Sequence, residues 1–141
     1  MADTDTDADT DLRFGATIYF THKELACPLT NKVRLAPHFG TALLDLRMAY
    51  DRPMVVNSCC RSLRHNHRIS GHEKSLHVYD LPYHKTGGTA AIDIAWPRDS
   101  SHRASLVKVA LDQGWSVGVA RWGIHLDRRD IVDLPQMVFG Y

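Results

Sequence analysis

Residues 90–96, AAIDIAW, form an apolar run with a single carboxylate, Asp93, near its centre. A short apolar run of this kind, bounded by polar residues, predicts a buried strand. A charge inside such a strand is costly unless hydrogen-bond donors or a cation partner it. The fold must therefore bring a partner for Asp93 into its interior.

Histidine is the unusual component of the composition, with nine copies in 141 residues. Five of them fall within twenty residues: His65, His67, His72, His77 and His84. They lie in residues 59–88, where no helical or strand period is visible and where Arg, Ser, Asn and Gly also accumulate. Long irregular segments of compact domains are usually functional, so we expect this segment to form a site loop.

The rest of the chain predicts an α+β domain. Apolar spacing predicts principal helices over residues 37–51 and about 102–113, the second capped by Ser100 and Ser101, and a capping box at Thr21 predicts a short helix. Strands are predicted over residues 54–58, 90–96, 115–119 and 123–127, and the tail from Val132 to Tyr141 is a candidate edge strand. Together these elements predict a single domain with a small, mainly antiparallel sheet, two principal helices and a long site loop.

The length of 141 residues suits one domain. Residues 1–11 contain five aspartates and neither Lys nor Arg, which predicts a disordered acidic tail ahead of a folded domain at residues 12–141. Because the formal net charge is +1, residues 12–141 carry +6. Such a surface suits a polyanionic partner, nucleic acid or an anionic cell envelope, although an ordinary solvated surface is the simpler interpretation.

Three absences restrict where the chain could act. No run of about 18 apolar residues occurs, so no membrane span is expected. The N-terminus lacks the basic start and apolar middle of a signal peptide, so the chain as given predicts no export signal. Of three cysteines, Cys59 and Cys60 are adjacent, which suits reduced thiols in a cytoplasmic product better than a disulfide framework.

Three residues form a candidate metal set: His77, Asp93 and His125. Two imidazoles and one carboxylate make a three-ligand zinc site with a fourth position open for water, which is the arrangement of catalytic zinc. Such a metal activates water and polarises a carbonyl, so hydrolysis of an amide is the natural reaction. Taken singly, a strand Asp or a lone His is more often structural than functional.

Asp127 stands two residues after His125 in a predicted strand, so both side chains should lie on the same face. Asp127 is therefore a candidate general base for the zinc water, or alternatively a residue that orients the imidazole. The spacing leaves both roles open.

Six ordered motifs resemble the family of zinc D-alanyl-D-alanine carboxypeptidases and endolysin peptidases. They are Asn57-Ser58-Cys59-Cys60-Arg61-Ser62, Asn66, Gly71, Ser75-Leu76-His77, Ala91-Ile92-Asp93-Ile94 and Gly123-Ile124-His125-Leu126-Asp127. The similarity covers about residues 18–127 and includes the upstream Thr-x-x-Glu-Leu-x-Cys segment.

The resemblance implies that His77, Asp93 and His125 bind Zn²⁺, that Arg61 helps to bind the peptide or carboxylate of the substrate, and that Ser75 contacts substrate. Structural alternatives are that Arg61 pins the loop through backbone carbonyls and that Ser75 caps a turn. The implied substrate is a peptidoglycan stem peptide or cross-link, cleaved by a D,D-carboxypeptidase or endopeptidase. With no export signal predicted, the expectation is a monomeric phage-type lysin, made in the cytoplasm and acting on the bacterial cell wall after release.

This sequence departs from the family pattern in two places. The family usually has seven residues from the first His to the Asp, whereas His77 and Asp93 are sixteen apart. Either the segment from Val78 to His84 is an insertion that bulges over the cleft, or His84 is the ligand instead. Many members also have a carboxylate three residues before the last His, where this chain has Trp122.

Two alternatives belong to other functional classes. The basic, His-rich stretch from Arg61 to Arg68 is compatible with a nucleic-acid-binding or nuclease module, but the spacings of a zinc finger or of a Mg²⁺ carboxylate site are missing, so no nucleic-acid partner is expected. The other alternative is a non-catalytic zinc-binding wall or virion protein. Zinc binding without hydrolysis would distinguish it from the enzyme.

Overall fold

The computed structural model describes residues 10–80 and 86–141. Within them the chain forms seven strands, four α-helices and a 3₁₀ turn at Arg129–Val132. In chain order the elements are β1 (Leu12–Phe14), β2 (Thr17–Phe20), α1 (His22–Leu25), α2 (Phe39–Tyr50), β3 (Val56–Ser58), α3 (Leu63–Arg68), β4 (Ala91–Ala95), α4 (Ser100–Asp112), β5 (Ser116–Val119), β6 (Gly123–Asp127) and β7 (Val138–Gly140). The predicted α+β class is confirmed.

The main sheet has five strands in the order β3-β4-β6-β5-β7. Its pairs are antiparallel except for β5 and β7, which run parallel, so the prediction of a mainly antiparallel sheet is confirmed. The candidate edge strand in the tail is β7. The hairpin of β1 and β2 was not predicted, since its strands have only three and four residues and most of these are exposed.

One face of the sheet packs against the two principal helices. The buried side chains of this core include Leu43 and Leu46 of α2, Leu106 of α4, and Ile92 and Ile124 of the central strands. Since side chains alternate along a strand, the neighbours of those isoleucines, Asp93 and His125, point to the opposite face. The helices thus hold the sheet from behind, and the other face is left for the site.

The cap of α4 differs from the prediction. Asp99, not Ser100 or Ser101, is the N-cap, and its Oδ1 accepts hydrogen bonds from the backbone N–H of Ser101 and His102. Ser100 is the first helical residue. The capping box predicted at Thr21 is present, with Glu24 as its other member.

The predicted site loop contains a helix that the sequence pattern did not reveal. Helix α3 has six residues, and Ser62 caps it by accepting a hydrogen bond from the N–H of His65 at 3.1 Å. Only Asn66 of this helix is buried, so its residues show no apolar period. A helix this short depends on its cap and on tertiary contacts rather than on propensity.

Two parts of the predictions lie outside the described residues: the tail at residues 1–9 and the alternative ligand His84. Thr10 and Asp11, at the end of the predicted tail, contact His22 of α1, and Asp11 Oδ1 accepts a hydrogen bond from the His22 N–H. No helix in the described ranges has the length and apolar character needed to cross a membrane.

Candidate metal centre

One cross-strand row of residues runs through the whole main sheet. In order from β3 to β7 it consists of Ser58, Asp93, His125, Gly118 and Phe139, each paired in register with the next. Cross-strand partners lie on the same face and close together, so the register itself places Asp93 beside His125. His125 on the neighbouring strand is therefore a partner of the buried carboxylate of Asp93, as the sequence required.

The third member of the site, His77, comes from a turn just before an isolated bridge between Val78 and Arg61. Its backbone carbonyl accepts hydrogen bonds from the Arg61 N–H at 3.0 Å and from Thr89 Oγ1 at 2.7 Å. Its Nδ1 lies 2.7 Å from the carbonyl oxygen of Cys59. Because a carbonyl only accepts, Nδ1 carries the proton and Nε2 is left with a free lone pair.

His77, Asp93 and His125 converge on one point. Asp93 Oδ1 is 3.1 Å from His77 Nε2 and 2.9 Å from His125 Nδ1. One ligand atom from each residue lies within 4.8 Å of the others, and all three side chains are buried. The predicted set is thus brought together by the fold.

The arrangement fits a bound cation. His77 Nε2 is buried and has no hydrogen-bond partner in the part of the chain described. In tetrahedral zinc sites, bonds of about 2.0–2.1 Å set neighbouring ligand atoms about 3.4 Å apart. The two short separations at Asp93 Oδ1 are close to that value, so a small cation held between these atoms would satisfy the unpartnered lone pair of His77.

The pKa values of the cluster show how the residues share charge. Burial lowers the pKa of His77 more than the charge of Asp93 raises it, so the imidazole is neutral at physiological pH, as a metal ligand must be. Burial also acts to lower the pKa of His125, but hydrogen bonds to Asp127 and Asp93 raise it overall. Burial would raise the pKa of Asp93, yet the contacts with His125 and His77 lower it well below its usual range.

Asp127 is almost fully buried and makes four short contacts. Its Oδ2 lies 2.8 Å from His125 Nε2 and accepts a hydrogen bond from Arg129 Nη2 at 2.8 Å. Its Oδ1 accepts from the backbone N–H of Arg129 at 3.1 Å and from Nε at 3.0 Å. Burial raises the pKa of this carboxyl, but the contacts with His125 and Arg129 lower it overall, so Asp127 is ionised.

Arg61 lies behind Asp93 rather than on the surface of the loop. Its Nε donates to Ser58 Oγ at 3.0 Å, Nη1 to Asn66 Oδ1 at 3.3 Å, and Nη2 to Asp93 Oδ2 at 3.2 Å. Asn66 in turn donates from Nδ2 to the carbonyl of His72 at 2.9 Å. The side chain of Arg61 therefore connects the site loop to a candidate ligand, and these bonds use three of its five N–H donors.

Ser75 occupies the turn before His77. Its Oγ accepts a hydrogen bond from the N–H of His77 at 3.2 Å, and its backbone carbonyl accepts from the N–H of Val78. This contact agrees with the turn-capping alternative for Ser75. Because Ser75 Oγ is the acceptor in this contact, its own hydroxyl proton stays available for another hydrogen bond.

Aromatic rings border the site on the side of His125. The ring centroid of His125 lies 5.8 Å from that of Phe139 and 6.1 Å from that of Tyr141, and Trp122 lies 6.0 Å from Tyr141. Trp122 and Tyr141 are exposed. Trp122 thus contributes an aromatic surface next to Tyr141, beside the cluster.

The sequence interpretation missed two residues that the structure places at the site, Ser58 and Arg129. Ser58 was noted only as part of a motif, although its pairing with Asp93 positions it to hold Arg61. Arg129 follows Asp127 by two residues, and such spacing next to a strand end was the available signal. Cys59 and Cys60 are buried in the core and form no disulfide, which agrees with the expectation of reduced thiols.

Comparison with known proteins gives an independent result. The family model described as Peptidase M15 matches residues 18–127. No curated protein matches the sequence. The matched range covers most of the chain and contains His77, Asp93 and His125, so the resemblance inferred from the motifs is confirmed. The chain belongs to the peptidase M15 family, a family of metal-dependent peptidases.

Proposed function

We propose that this protein is a zinc peptidase that hydrolyses peptide bonds of peptidoglycan, in the stem peptide or its cross-link, in the manner of a phage endolysin. The observation that carries the proposal is the convergence of His77 Nε2, Asp93 Oδ1 and His125 Nδ1, with the first of these buried and unpartnered in the described structure. Membership of the M15 family supplies the reaction class.

Zn²⁺ is the cofactor that this donor set favours. Two neutral imidazoles and one carboxylate are typical of catalytic zinc, whereas Mg²⁺ and Ca²⁺ prefer oxygen ligands. Zinc held by three protein ligands supplies an activated water near neutral pH and a Lewis acid for the scissile carbonyl. The contribution of the chain is to hold His77, Asp93 and His125 on two paired strands and a pinned turn.

Asp127 is proposed to orient His125 rather than to act as the general base. A carboxylate has about four lone-pair sites, and all four are used in contacts with His125 and Arg129. An oxygen in this state has no position left for a water proton. The hydrogen bond to Nε2 instead directs Nδ1 toward Asp93, which is how a carboxylate commonly supports a ligand histidine.

Arg61 and Ser75 are proposed to contact substrate in addition to their internal bonds. Arg61 keeps two N–H donors beyond those bonded to Ser58, Asn66 and Asp93, and a guanidinium is well suited to a peptide carbonyl or a terminal carboxylate. Ser75 keeps its hydroxyl proton. A peptide lying across the cluster would meet Arg61 on one side and the rings of Trp122 and Tyr141 on the other.

The charge of the domain supports a substrate in the cell wall. Residues 12–141 carry a formal net charge of +6, which would favour approach to an anionic envelope. We propose that the protein acts there as a monomer after release from the cell that makes it. The peptide is the partner, and nucleic acid is not.

The test combines metal content with hydrolysis of purified peptidoglycan. The wild-type protein should bind about one zinc per chain and release new amino groups and muropeptides that mass spectrometry can identify, which also reveals the bond that is cut. His77→Ala, Asp93→Ala and His125→Ala should lose both zinc and hydrolysis. His67→Ala, which changes an exposed histidine of α3, is the matched control and should keep both.

The alternatives predict other results. If His84→Ala loses zinc while His77→Ala keeps it, the first ligand is His84. Stoichiometric zinc without any hydrolysis would favour a non-catalytic wall or virion protein. A wild-type protein that binds no zinc would contradict the proposal.

A further inference from the structure

Residues 128–141 lie beyond the part of the chain that the family model matches, and yet they contact the metal centre. We propose that Arg129 is a positioning residue for this centre: together with β7 it holds Asp127 in place and thereby fixes which ring nitrogen His125 presents to the metal. The inference rests on the metal site of the proposed function and adds a residue to its support.

Arg129 and Asp127 form a direct ion pair. The guanidinium donates from Nε to Oδ1 at 3.0 Å and from Nη2 to Oδ2 at 2.8 Å, which is a bidentate pairing. The side chain of Asp127 is 2% exposed and that of Arg129 is 17% exposed. The pair is therefore shielded from solvent, unlike the exposed pairs that contribute little to stability.

Phe139 and Met137 hold the guanidinium of Arg129 in place. Its guanidinium carbon lies 5.0 Å from the ring centroid of Phe139, and Nη1 donates to Met137 Sδ at 3.2 Å. Phe139 belongs to β7, and its pairing with Gly118 of β5 places it in the same row as His125. A Cβ at position 118 would come within 2.7 Å of the Phe139 ring, so glycine there lets the ring lie against the sheet.

The pairing of Arg129 with Asp127 also determines how Asp127 contacts His125. With both Asp127 oxygens accepting from Arg129, Oδ2 stays directed at His125 Nε2, 2.8 Å away, and can only accept a proton in that hydrogen bond. Nε2 must then carry a proton, which leaves Nδ1, the nitrogen 2.9 Å from Asp93 Oδ1, as the one that a metal would bind. Without the guanidinium, Asp127 is free to rotate about its side-chain torsions, and His125 loses the partner that holds Nε2.

Two variants of Arg129 test this chain of contacts. Arg129→Met keeps an unbranched apolar side chain and the backbone N–H bond but removes both guanidinium hydrogen bonds to Asp127, and Arg129→Lys keeps a charge but not the bidentate geometry. Loss of a partner behind a ligand histidine typically weakens metal binding about 10-fold to 100-fold. We expect a loss in that range for Arg129→Met and a smaller one for Arg129→Lys, measured as zinc Kd by competition with a chromophoric chelator.

Arg128→Met is the matched control. Arg128 is the adjacent arginine, but it contacts the carbonyl of Gln113, the ring of Trp115 and Asp130, and none of these belongs to the centre. It should lose stability while its zinc Kd changes by much less than the roughly 10-fold expected when a ligand histidine loses its partner. Urea unfolding of each metal-free variant separates loss of stability from loss of the site.

Spectroscopy supplies readouts that a purely structural role would not move. The visible spectrum of the Co²⁺-loaded protein should change in Arg129→Met and not in Arg128→Met. Ring ¹H–¹⁵N NMR of the metal-free protein should show the Nε2–H proton of His125 held in its hydrogen bond and protected from exchange in the wild type, and broadened by exchange in Arg129→Met. Phe139→Leu, which leaves the guanidinium in place, should give a smaller change in the same direction.

Wild-type zinc affinity, cobalt spectrum and Nε2–H signal in a folded Arg129→Met would overturn the inference. If that variant does not fold, the same results for Arg129→Lys and Phe139→Leu would do so. A wild-type chain that binds no zinc contradicts the proposed function instead, while the Nε2–H signal of metal-free protein still decides the role of Arg129.

Discussion

Asp93 and His125 are cross-strand partners in the register of β4 and β6, and their Oδ1 and Nδ1 atoms lie 2.9 Å apart. The pairing of two antiparallel strands therefore supplies two of the three candidate ligands of the metal centre. Rigid strands hold ligands more accurately than loops, so this pair defines where a cation would sit. His77 then closes the site from a turn whose carbonyl is held by Arg61 and Thr89.

Removal of metal should lower the stability of the protein. A ligand that binds only the native state stabilises it by about 3 kcal/mol when its free concentration is 100 times Kd, which is roughly 10 °C in Tm for a domain of this size. We expect a chelator to lower the Tm by about this amount and added Zn²⁺ to restore it, as measured by differential scanning fluorimetry. His77→Ala should show no response to either addition, and an equal response in that variant would place the zinc elsewhere.

Gly123→Ala should damage the site through the backbone. A Cβ at Gly123 would lie 2.1 Å from the carbonyl oxygen of Ile94 on the paired strand. Strands β4 and β6 would therefore have to separate at the end of their pairing, two residues from the Asp93–His125 pair. We expect the free energy of unfolding, measured in urea, to fall by about 1–3 kcal/mol. Zinc binding should weaken as well. Gly140→Ala is the matched control in β7, since its Cβ would meet nothing closer than 4.0 Å. Equal behaviour of the two variants would contradict this account.

Arg61→Lys should separate the two roles considered for this residue. Lysine cannot reproduce the fork that bonds Ser58, Asn66 and Asp93, and hydrogen bonds to charged groups are worth about 1.5–3 kcal/mol, so kcat/KM should fall roughly 10-fold to 100-fold. Kinetics on a defined stem peptide should show a raised KM if Arg61 binds substrate. A variant that unfolds at lower urea concentration but keeps the wild-type KM would assign Arg61 to the loop alone.

Asp99 should make the stability of the protein depend on pH at a position remote from the metal centre. Hydrogen bonds from Ser101 and His102 lower the pKa of this carboxyl below its usual range. A group whose pKa is lower in the folded state adds stability above its unfolded pKa, about 3.9, and that stability is lost as the pH falls through the folded pKa.

Asp99→Asn keeps a capping side chain but cannot titrate, so it isolates this effect. In urea unfolding with chelator present, the wild type should be the more stable of the two at pH 6, and its advantage should shrink by pH 3. A difference that stays constant between these two pH values would show that the charge of Asp99 does not contribute.

The sequence alone determined the elements with strong periodicity and the identity of the candidate ligands. Helix α2 and the strands around Asp93 and His125 follow from apolar patterns, because burial imposes a period that is visible in the residues. The order of the motifs from Asn57 to Asp127 was enough to identify the family, which the match over residues 18–127 confirms. Helix α3 and the β1–β2 hairpin could not be predicted, since they bury too few side chains to leave a pattern.

The tertiary structure alone decided what each polar residue contacts. Spacing left Asp127 with two possible roles, and only the approach of Arg129, held by Phe139 of β7, shows that its four lone-pair sites are used. In the same way, Ser58 meets Arg61 and Asp93 only because β3 pairs with β4. Hydrogen bonds between residues far apart in the chain depend on strand register and side-chain direction, and these are properties of the packed sheet rather than of any local stretch of sequence.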